Sequence, residues 1–511
     1  MCALARFMKF LSRGRAGHEV VTKLVMPLDV NGSDKNVSAA NMRKLVELRE
    51  PMNTLRQPHG HFLLTGGPLD EPPALHYSGE ARDHRPLVAI APTNACATSI
   101  IVPARDEAST LIDALTALMC QMDLAGRPIH HGLYEVIVLA NNCRDATASL
   151  ARAFAAQHPG FEMHVVELTL VASDANIGTA RRMLMDEACR RLLGNGRPSG
   201  VIASTDGDTV VAPNWLAAIH AEFAEGVDAV GGRILAPPPE EADLDRPTRA
   251  YHLRDVTYHH LVSELESYLD PIPEDPWPRH HQFFGASLAV TASMYARAGG
   301  LPSVPVLEDM AFRRQLRRLD ARLRHSPRVR VRTSARRTGR VEMGLSTQLR
   351  EWAAMAAQGQ PHLVESAAVV AGRARNRRRL RLLWERAPSR AMRDDPAVEM
   401  VARHLGVERD WLLRQLARQE PFGLLHERVL ERGRPVVVGE HLVEMTVAIA
   451  KLRRHLALLR AGRTPRNHPT NQLRAREEIQ SIAIFPPPKE MSQPPARERL
   501  FEEPIMDLIT G

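Results

Sequence analysis

The sequence predicts an α/β protein in which a mostly parallel, Rossmann-like sheet is flanked by helices. The first observation is a regular alternation, beginning near residue 98, of short apolar runs with helix-length amphipathic segments. Such alternation is typical of βαβ units, whose strands run parallel because a helix lies in each connection. The second observation is that polar clusters follow three of the apolar runs. Ligands of open parallel sheets bind beyond the carboxyl ends of the strands, so we expect one shared site there.

The individual elements follow from hydrophobic periodicity. Buried strands are predicted at 99–103, 134–140, 163–168 and 200–205, with helices between them at about 108–122, 146–158 and 176–193. Later elements are a helix at about 213–225, strands at 229–234 and 328–333, and helices at 251–269 and 441–459.

Changes in composition divide the chain into four segments. Residues 1–94 mix Gly, Pro, His and charge with little periodicity, and we expect a poorly ordered N-terminal arm. Residues 95–357 carry the strand–helix alternation and include an insert at about 237–280, which either shapes a second-substrate pocket or acts as a spacer. Residues 358–465 show helical periodicity and are expected to form a helical accessory region. The proline-containing tail, 466–511, is expected to be disordered.

Length and composition exclude several classes of protein. The chain of 511 residues is longer than one hydrophobic core usually organises, so two or three domains are expected. Its five cysteines are scattered and lack a Cys-x-x-Cys pair, which argues against a disulfide framework and a zinc site. No apolar run approaches the roughly 20 residues that cross a bilayer. These features favour a cytoplasmic protein without a transmembrane segment.

The positive charge is distributed unevenly. Arginines crowd residues 313–340 and 373–393, and the net charge is +8. Such clusters are either solvated helix faces or surfaces that attract phosphorylated substrates, anionic lipids or nucleic acid. Aromatic residues make up 5% of the chain and do not interleave with the basic runs, which leaves little for bases to stack on. Nucleic acid is therefore not the expected partner, whereas peripheral contact with a membrane stays open.

The central motif is Asp206-Gly207-Asp208, which follows the fourth predicted strand directly. Hard cations such as Mn²⁺ or Mg²⁺ prefer oxygen ligands, and Mg²⁺ is usually held by one or two carboxylates together with substrate phosphates and water. Gly207 has no side chain to obstruct an approaching ligand. The motif therefore predicts a site for a metal and a diphosphate, although the same residues also suit an ordinary turn.

Other polar residues are expected at the same edge of the sheet. The helix that begins near Asp145 would direct its positive N-terminal end there. The residues concerned follow the first and second predicted strands: Arg105, Glu107, Asn141, Asn142 and Asp145. Glu308 and Asp309 form a second acidic pair, in an apolar setting.

Taken together, these motifs resemble those of the family 2 nucleotide-sugar glycosyltransferases of the GT-A fold, over about residues 97–352. The resemblance implies a GT-A-type sheet and a metal-dependent hexosyltransferase that moves one sugar from a nucleotide-diphosphate sugar, preferably a UDP-sugar, to an acceptor hydroxyl with inversion. It implies that Asp208 is the ligand of Mn²⁺ or Mg²⁺, that Asp206 lies nearer the ribose or sugar, and that Asp309 is the catalytic base.

The resemblance also assigns the remaining site residues. It places Pro103, Arg105 and Glu107 at the nucleoside, Asn141, Asn142 and Asp145 at the base, Arg181 at the diphosphate, and Gly285 and Glu308 on the acceptor side. Arg336 or Arg340 would close over the phosphates or be solvated. The acceptor is unidentified, and the basic surface favours a phosphorylated or lipid-linked one.

Two departures from the family pattern narrow the expectation. The Gln-x-x-Arg-Trp motif of processive members is altered here, since Arg350 is shifted by one place between Gln348 and Trp352. Transfer of a single sugar is therefore expected. The segment from Asn141 to Thr147 resembles a turn motif of the family, and in it Cys143 replaces the usual serine.

Three other readings stay open at the level of the sequence. A haloacid-dehalogenase-like phosphatase would use Asp206 as nucleophile, but it needs a phosphate-binding lysine, and no lysine occurs between Lys44 and Lys451. A nucleotidyltransferase would need a Gly-rich signature after the first strand, which is missing. A non-catalytic protein that binds anions or RNA would use the arginine patches alone.

Overall fold

The computed structural model describes residues 86–236, 245–334, 345–387, 393, 395–433 and 441–461. All of these belong to one compact unit. The predicted tail lies outside the described residues, as does the predicted arm up to residue 85.

The unit is built around an eight-stranded sheet with the strand order β3-β2-β1-β4-β7-β6-β8-β5. Its strands are β1 (Thr98–Ala104), β2 (Tyr134–Asn141), β3 (Met163–Leu168), β4 (Val201–Ser204), β5 (Thr209–Val211), β6 (Ala229–Leu235), β7 (Leu288–Thr291) and β8 (Leu323–Thr333). The first four are mutually parallel, and β6 is parallel to β8. The ladders β4–β7, β6–β7 and β5–β8 are antiparallel.

Helices cover both faces of the sheet because successive residues of each strand point to opposite faces. Ile100 and Val102 of β1 belong to one hydrophobic cluster, and Ile101 belongs to the other. The first cluster also contains residues of α1 (Leu111–Met119), α2 (Thr147–Gln157) and α4 (Trp215–Ala224). The second contains residues of α3 (Ile177–Gly194), α6 (Ala292–Arg297) and α7 (Glu308–Arg318). The predicted fold class, a mostly parallel sheet flanked by helices, is confirmed.

A second, helical region packs around α5 (Arg246–Leu269), which lies inside the predicted insert. The Asp245 carboxylate caps this helix by accepting a hydrogen bond from the Thr248 N–H at 2.8 Å. Residues of α5 form a third hydrophobic cluster with α9 (Ala367–Arg386) and α13 (Met445–Ala461), and a fourth cluster joins α9 to the later helices. The remaining elements are α8 (Leu345–Ala357), β9 (Leu363–Glu365), α10 (Pro396–Leu405), α11 (Arg409–Leu416), α12 (Phe422–Arg432) and β10 (Leu442–Glu444).

The helices of the described part of the chain are too polar or too short to cross a bilayer. None of them combines the length and the apolar character that a membrane span needs.

Candidate active site

The predicted site residues lie at the edge of the sheet where β1, β2 and β4 end. These three strands are parallel neighbours, so the segments that follow Ala104, Asn141 and Ser204 leave the sheet side by side. The segment after Ser204 carries Asp206 and Asp208.

Arg181, on the first turns of α3, connects two of the predicted acidic groups. Its Nη2 donates a hydrogen bond to Asp206 Oδ1 at 2.6 Å, and its Nη1 donates to Glu308 Oε1. The side chains of Arg181 and Glu308 are each 4% exposed, whereas that of Asp206 is 30% exposed. The loop after β4 and the start of α7 therefore meet at one buried guanidinium.

The guanidinium group of Arg181 lies directly against Gly285. A Cβ atom at this position would be 2.2 Å from Arg181 Cζ, so a larger residue there would displace Arg181. The Gly285 carbonyl accepts a hydrogen bond from Ser204 Oγ at 2.7 Å, and its N–H donates to Asp309 Oδ2 at 2.9 Å. The end of β4 and the acidic pair are thus linked through the backbone of Gly285 as well.

The Asp309 carboxylate is held by backbone donors. Besides the Gly285 N–H, the Met310 N–H donates to its Oδ1 at 2.7 Å. Burial raises the pKa of Asp309, while Arg181 and the two N–H donors act in the opposite direction and the nearby Asp206 raises it further. Leu307, which precedes the acidic pair, has a left-handed backbone conformation with φ of 56°. It turns the chain into α7, so that both carboxylates lie at the positive end of the helix.

The polar segments after β1 and β2 contact each other through side chain to backbone hydrogen bonds. Asp145 Oδ2 accepts from the Ala108 N–H at 3.0 Å, and the Glu107 N–H donates to Thr147 Oγ1 at 2.7 Å. Asp106 Oδ1 accepts from the Arg144 N–H at 2.6 Å. These contacts fix Asp145 beside the end of β1, where the resemblance places the base of the donor.

Thr110 extends these contacts to the acidic motif. Its hydroxyl lies 3.0 Å from Glu107 Oε2 and 3.3 Å from the Gly207 carbonyl oxygen. A Cβ atom on Gly207 would lie 3.1 Å from Glu107 Cγ and 3.3 Å from Ala104 Cβ, so this close approach favours glycine. Contacts therefore run from Asp145 to Asp206 without leaving this edge of the sheet.

Other residues that were predicted to bind the nucleotide-sugar donor form contacts within the protein. Arg105 Nη1 donates to the Ala175 carbonyl at 3.0 Å, just before α3. Asn142 exchanges two hydrogen bonds with the backbone of Leu170, at 2.8 and 3.0 Å, which joins the segments after β2 and β3. Pro103 lies in β1 and Asn141 in β2, and each is paired with a residue of a neighbouring strand. The Oδ1 atom of Asn141 is buried and accepts no hydrogen bond within the described part of the chain. Contacts of these residues with a nucleotide stay predictions.

The acidic motif fits a divalent cation by the chemistry of its donors. Asp206 and Asp208 offer hard carboxylate oxygens, and Arg181 uses one oxygen of Asp206, Oδ1. The Asp208 side chain is partly exposed and lies next to β5, whose Thr209 hydroxyl is 3.4 Å from Asp208 Oδ1.

A different group of possible metal ligands consists of Asp106, Cys143 and Asp145, whose ligand atoms lie within 4.8 Å of one another. The two carboxylates already accept the backbone N–H groups named above. Burial raises the pKa of the Cys143 thiol, which disfavours the thiolate that a metal would bind. We therefore assign no metal site to this group.

Sequence reasoning missed the hydroxyl groups that position these residues. Ser204, Thr110 and Thr147 each bridge two segments, and Ser204 and Thr147 are fully buried polar residues. Their place directly beside the predicted carboxylates was the available signal. Arg336 and Arg340, predicted to close over the phosphates or be solvated, lie outside the described residues.

Comparisons with solved structures give low similarity. A mannosyltransferase of Pyrobaculum calidifontis, in complex with GDP-Man and Mn²⁺, is 18% identical, with 77% of this chain and 83% of that chain covered and a TM-score of 0.33. TarS 1–349 of S. aureus, in complex with UDP-GlcNAc, is 12% identical, with 68% and 96% covered and a TM-score of 0.34. Glucosyl-3-phosphoglycerate synthase of Mycobacterium tuberculosis, in complex with Mn²⁺, UDP and its glucosylated product, is 15% identical, with 52% and 81% covered and a TM-score of 0.30.

The sequence matches no curated protein, but it matches a family model. The model is described as glycosyl transferase family 2, and it covers residues 99–274, from β1 to the end of α5 and the short loop after it. This span contains the acidic motif, Arg181 and the segments after β1 and β2. The resemblance predicted from the motifs is therefore confirmed over this span: residues 99–274 match the model of glycosyl transferase family 2.

Proposed function

We propose that this protein transfers a single sugar from a nucleotide-diphosphate sugar, preferably a UDP-sugar, to an acceptor hydroxyl with inversion at the anomeric carbon. The observation that carries the proposal is the position of Arg181, whose guanidinium contacts Asp206 on one side and Glu308 on the other. The acidic motif and the predicted base therefore belong to one site, as transfer between a donor and an acceptor requires.

Asp309 acts as the general base in this proposal. Each of its oxygens accepts one backbone N–H, which fixes the carboxylate and leaves lone pairs for the acceptor proton. The raised pKa of Asp309 makes it a stronger base than an exposed aspartate. Removing the proton while the acceptor oxygen attacks opposite the diphosphate inverts the anomeric centre.

Glu308 and Arg181 position the base. Glu308 is buried and paired with Arg181, so its charge is neutralised and it fixes the start of α7. Asp208 would hold Mn²⁺ or Mg²⁺, which supplies positive charge to the departing diphosphate when it is bound. Asp206, held by Arg181, lies on the donor side of the same site.

The remaining donor residues orient the nucleoside. Asp145 and Glu107 lie on adjoining segments at the end of β1, joined through Ala108 and Thr147. The four described cysteines are free thiols, which supports a cytoplasmic location.

The test is a panel of UDP- and GDP-sugars screened for Mn²⁺-dependent hydrolysis, followed by calorimetry with the preferred donor. Asp208→Ala is expected to abolish metal-dependent donor binding. Asp309→Asn is expected to retain donor binding and to lose transfer. Asp113→Asn removes an exposed carboxylate from α1 and serves as the matched control, which should behave as the unmodified protein.

Two results would contradict the proposal. Unchanged donor affinity in Asp208→Ala would remove that residue as the metal ligand. Normal turnover by Asp309→Asn would remove Asp309 as the base, even if the protein is a glycosyltransferase.

A further inference from the structure

A row of arginines extends along α7 from the predicted base. Asp309, Arg313 and Arg317 are separated by four residues each, so they lie on the same face of the helix. The contacts agree with this spacing. Asp309 contacts the N–H of Gly285, and Arg313 Nη1 lies 3.5 Å from the carbonyl oxygen of His281. The segment 281–285 therefore runs beside the helix from the base to the first arginine.

Arg313 and Arg317 form no ion pair with any carboxylate in the described part of the chain. Arg313 Nε is moreover a buried donor without an acceptor. The next residues on the helix behave differently, because Arg314 and Arg318 both contact Glu427 of α12. The absence of a counter-charge is thus a property of the face that carries Asp309.

The carboxylates near this face are already engaged by other cations. Each of them has its own basic partners within the described residues: Asp275 with Arg279, Arg324 and His325; Glu266 with Arg373 and Arg377; and Asp270 with Arg377 and Arg381. Arg313 and Arg317 therefore lie among charges that are balanced without them.

Burial and neighbouring charges affect the arginines of this face. Burial lowers the pKa of Arg313, and Arg377 and Arg279 lower it further, although Asp275 and Glu266 act against them. Arg317, the next arginine on this face, is exposed. Guanidinium groups stay charged at neutral pH in proteins, so the face carries two positive charges that an anion would stabilise.

We propose that Arg313 and Arg317 form the anion-binding part of the acceptor site, and that the acceptor is a hydroxyl compound carrying a phosphate monoester. This inference rests on the proposed function, because it takes Asp309 as the base. Guanidinium groups donate paired hydrogen bonds that suit phosphate oxygens. A phosphate monoester carries about −1.5 to −2 charges at pH 7, which matches two arginines, whereas a carboxylate supplies one.

The helix also sets the size of the acceptor. With a rise of about 1.5 Å per residue, Arg313 and Arg317 lie about 6 and 12 Å along the axis from Asp309. A phosphate between them would lie about 9 Å along the axis from Asp309, or about seven bonds from the hydroxyl that Asp309 deprotonates. A small phosphorylated acceptor meets this requirement.

The test is calorimetry with inorganic phosphate at constant ionic strength, using the full chain. The expected result is that the unmodified protein binds phosphate more tightly than acetate, and that Arg313→Gln/Arg317→Gln weakens phosphate binding at least tenfold. Arg314→Gln removes the same charge from the neighbouring position of α7 and should change the affinity less than twofold. Because Arg317 is exposed and unpaired among the described residues, Arg317→Gln alone should fold normally and still weaken binding about threefold.

Three results would overturn the inference. These are no phosphate binding by the unmodified protein, equal losses in Arg314→Gln and in the double variant, or binding of acetate as tight as that of phosphate. Donor binding with Mn²⁺, measured on the same samples, tests the proposed function separately. If phosphate binding depends on Arg313 and Arg317 but no nucleotide sugar binds, the proposed function fails. The two arginines would then still form an anion site, but not one for a sugar acceptor.

Discussion

Replacing Arg181 by methionine should destabilise the protein strongly, because it leaves a buried carboxylate without its partner. Breaking a buried ion pair by removing one member costs about 3–5 kcal/mol. Glu308 meets the condition, since its side chain is 4% exposed and forms an ion pair with Arg181. Asp206 is 30% exposed, so its pair with Arg181 contributes about 0–1 kcal/mol. We therefore expect Arg181→Met to lower the free energy of unfolding by about 3–5 kcal/mol.

The measurement is urea unfolding followed by tryptophan fluorescence, since Trp215 is fully buried in the core beneath the sheet. Arg182→Met is the matched control. It makes the same change one residue along α3, where the side chain is 31% exposed and its Nε lies 3.4 Å from Asp186. Arg182→Met should lower the free energy of unfolding by less than about 1 kcal/mol.

A third variant separates the lost contact from the unpaired charge. In Arg181→Met/Glu308→Gln the buried carboxylate is gone, so a large part of the loss should be recovered. Equal losses in Arg181→Met and Arg182→Met, or no recovery in the double variant, would refute the assignment of Arg181 as the buried counter-charge of Glu308.

Four other predictions concern packing, pH and the metal. Gly285→Ala places a Cβ atom 2.2 Å from Arg181 Cζ and should cost about 1–3 kcal/mol in urea unfolding, whereas Gly372→Ala on α9, with no atom near its Cβ, should not destabilise. The pH–rate profile of transfer should rise with pH through an apparent pKa above the ordinary aspartate value of 3.8, since burial raises the pKa of Asp309 and the base must be ionised; an acid limb at or below 3.8 would contradict this. Burial alone would raise the pKa of Glu135, but hydrogen bonds from His164, Arg191 and Ser99 lower it to about 2. Ionised Glu135 should therefore contribute about 3 kcal/mol to the free energy of unfolding above pH 4.5, and this contribution should be lost as the pH falls towards 2. Urea unfolding of Glu135→Gln should show a weaker dependence of stability on pH over this range. Chelation with EDTA should abolish donor binding in calorimetry as completely as Asp208→Ala does, and donor affinity that survives chelation would contradict the metal site.

Sequence patterns predicted the strands that are buried throughout, and they also predicted β3, whose residues are partly exposed. All residues of β1 and β2 are buried, and both strands were predicted to within one residue at each end. β5 was missed because three residues are too few to show a period of two, and this strand is defined by its partner β8. The sheet is consequently more mixed at the β7–β5 side than the alternation of strands and helices suggested.

The first helix shows how a site changes a local pattern. Apolar spacing predicted a start near residue 108, but α1 begins at Leu111. The N–H groups of Glu107 and Ala108 donate to Thr147 and Asp145, respectively, and this loop geometry replaces the first helical turn. Such bonds join residues about 40 positions apart. No pattern within a short window contains them.

The carboxylates of the site were predicted from the sequence, but the way in which they are held was not. Motif order led to Asp206, Asp208 and Asp309, because each follows a strand or begins a helix. The contact between Arg181 and Glu308 spans 127 residues of sequence, and it became visible only when α3 and α7 were packed on the same face of the sheet. The need for glycine at position 285 follows from that contact and from nothing local.

The balance of charge at the site gives a physical reason why the proposed reaction would need a cation before chemistry begins. Four carboxylates, those of Asp206, Asp208, Glu308 and Asp309, lie in segments that meet at a single buried guanidinium. Arg181 is shared between two of them and leaves the site negative. A donor diphosphate is itself an anion, so this site repels it at the distances over which partly buried charges act. If Asp208 holds the cation as proposed, it acts on donor affinity before it acts on the departure of the diphosphate, and Asp208→Ala should show lost binding first and lost turnover only then.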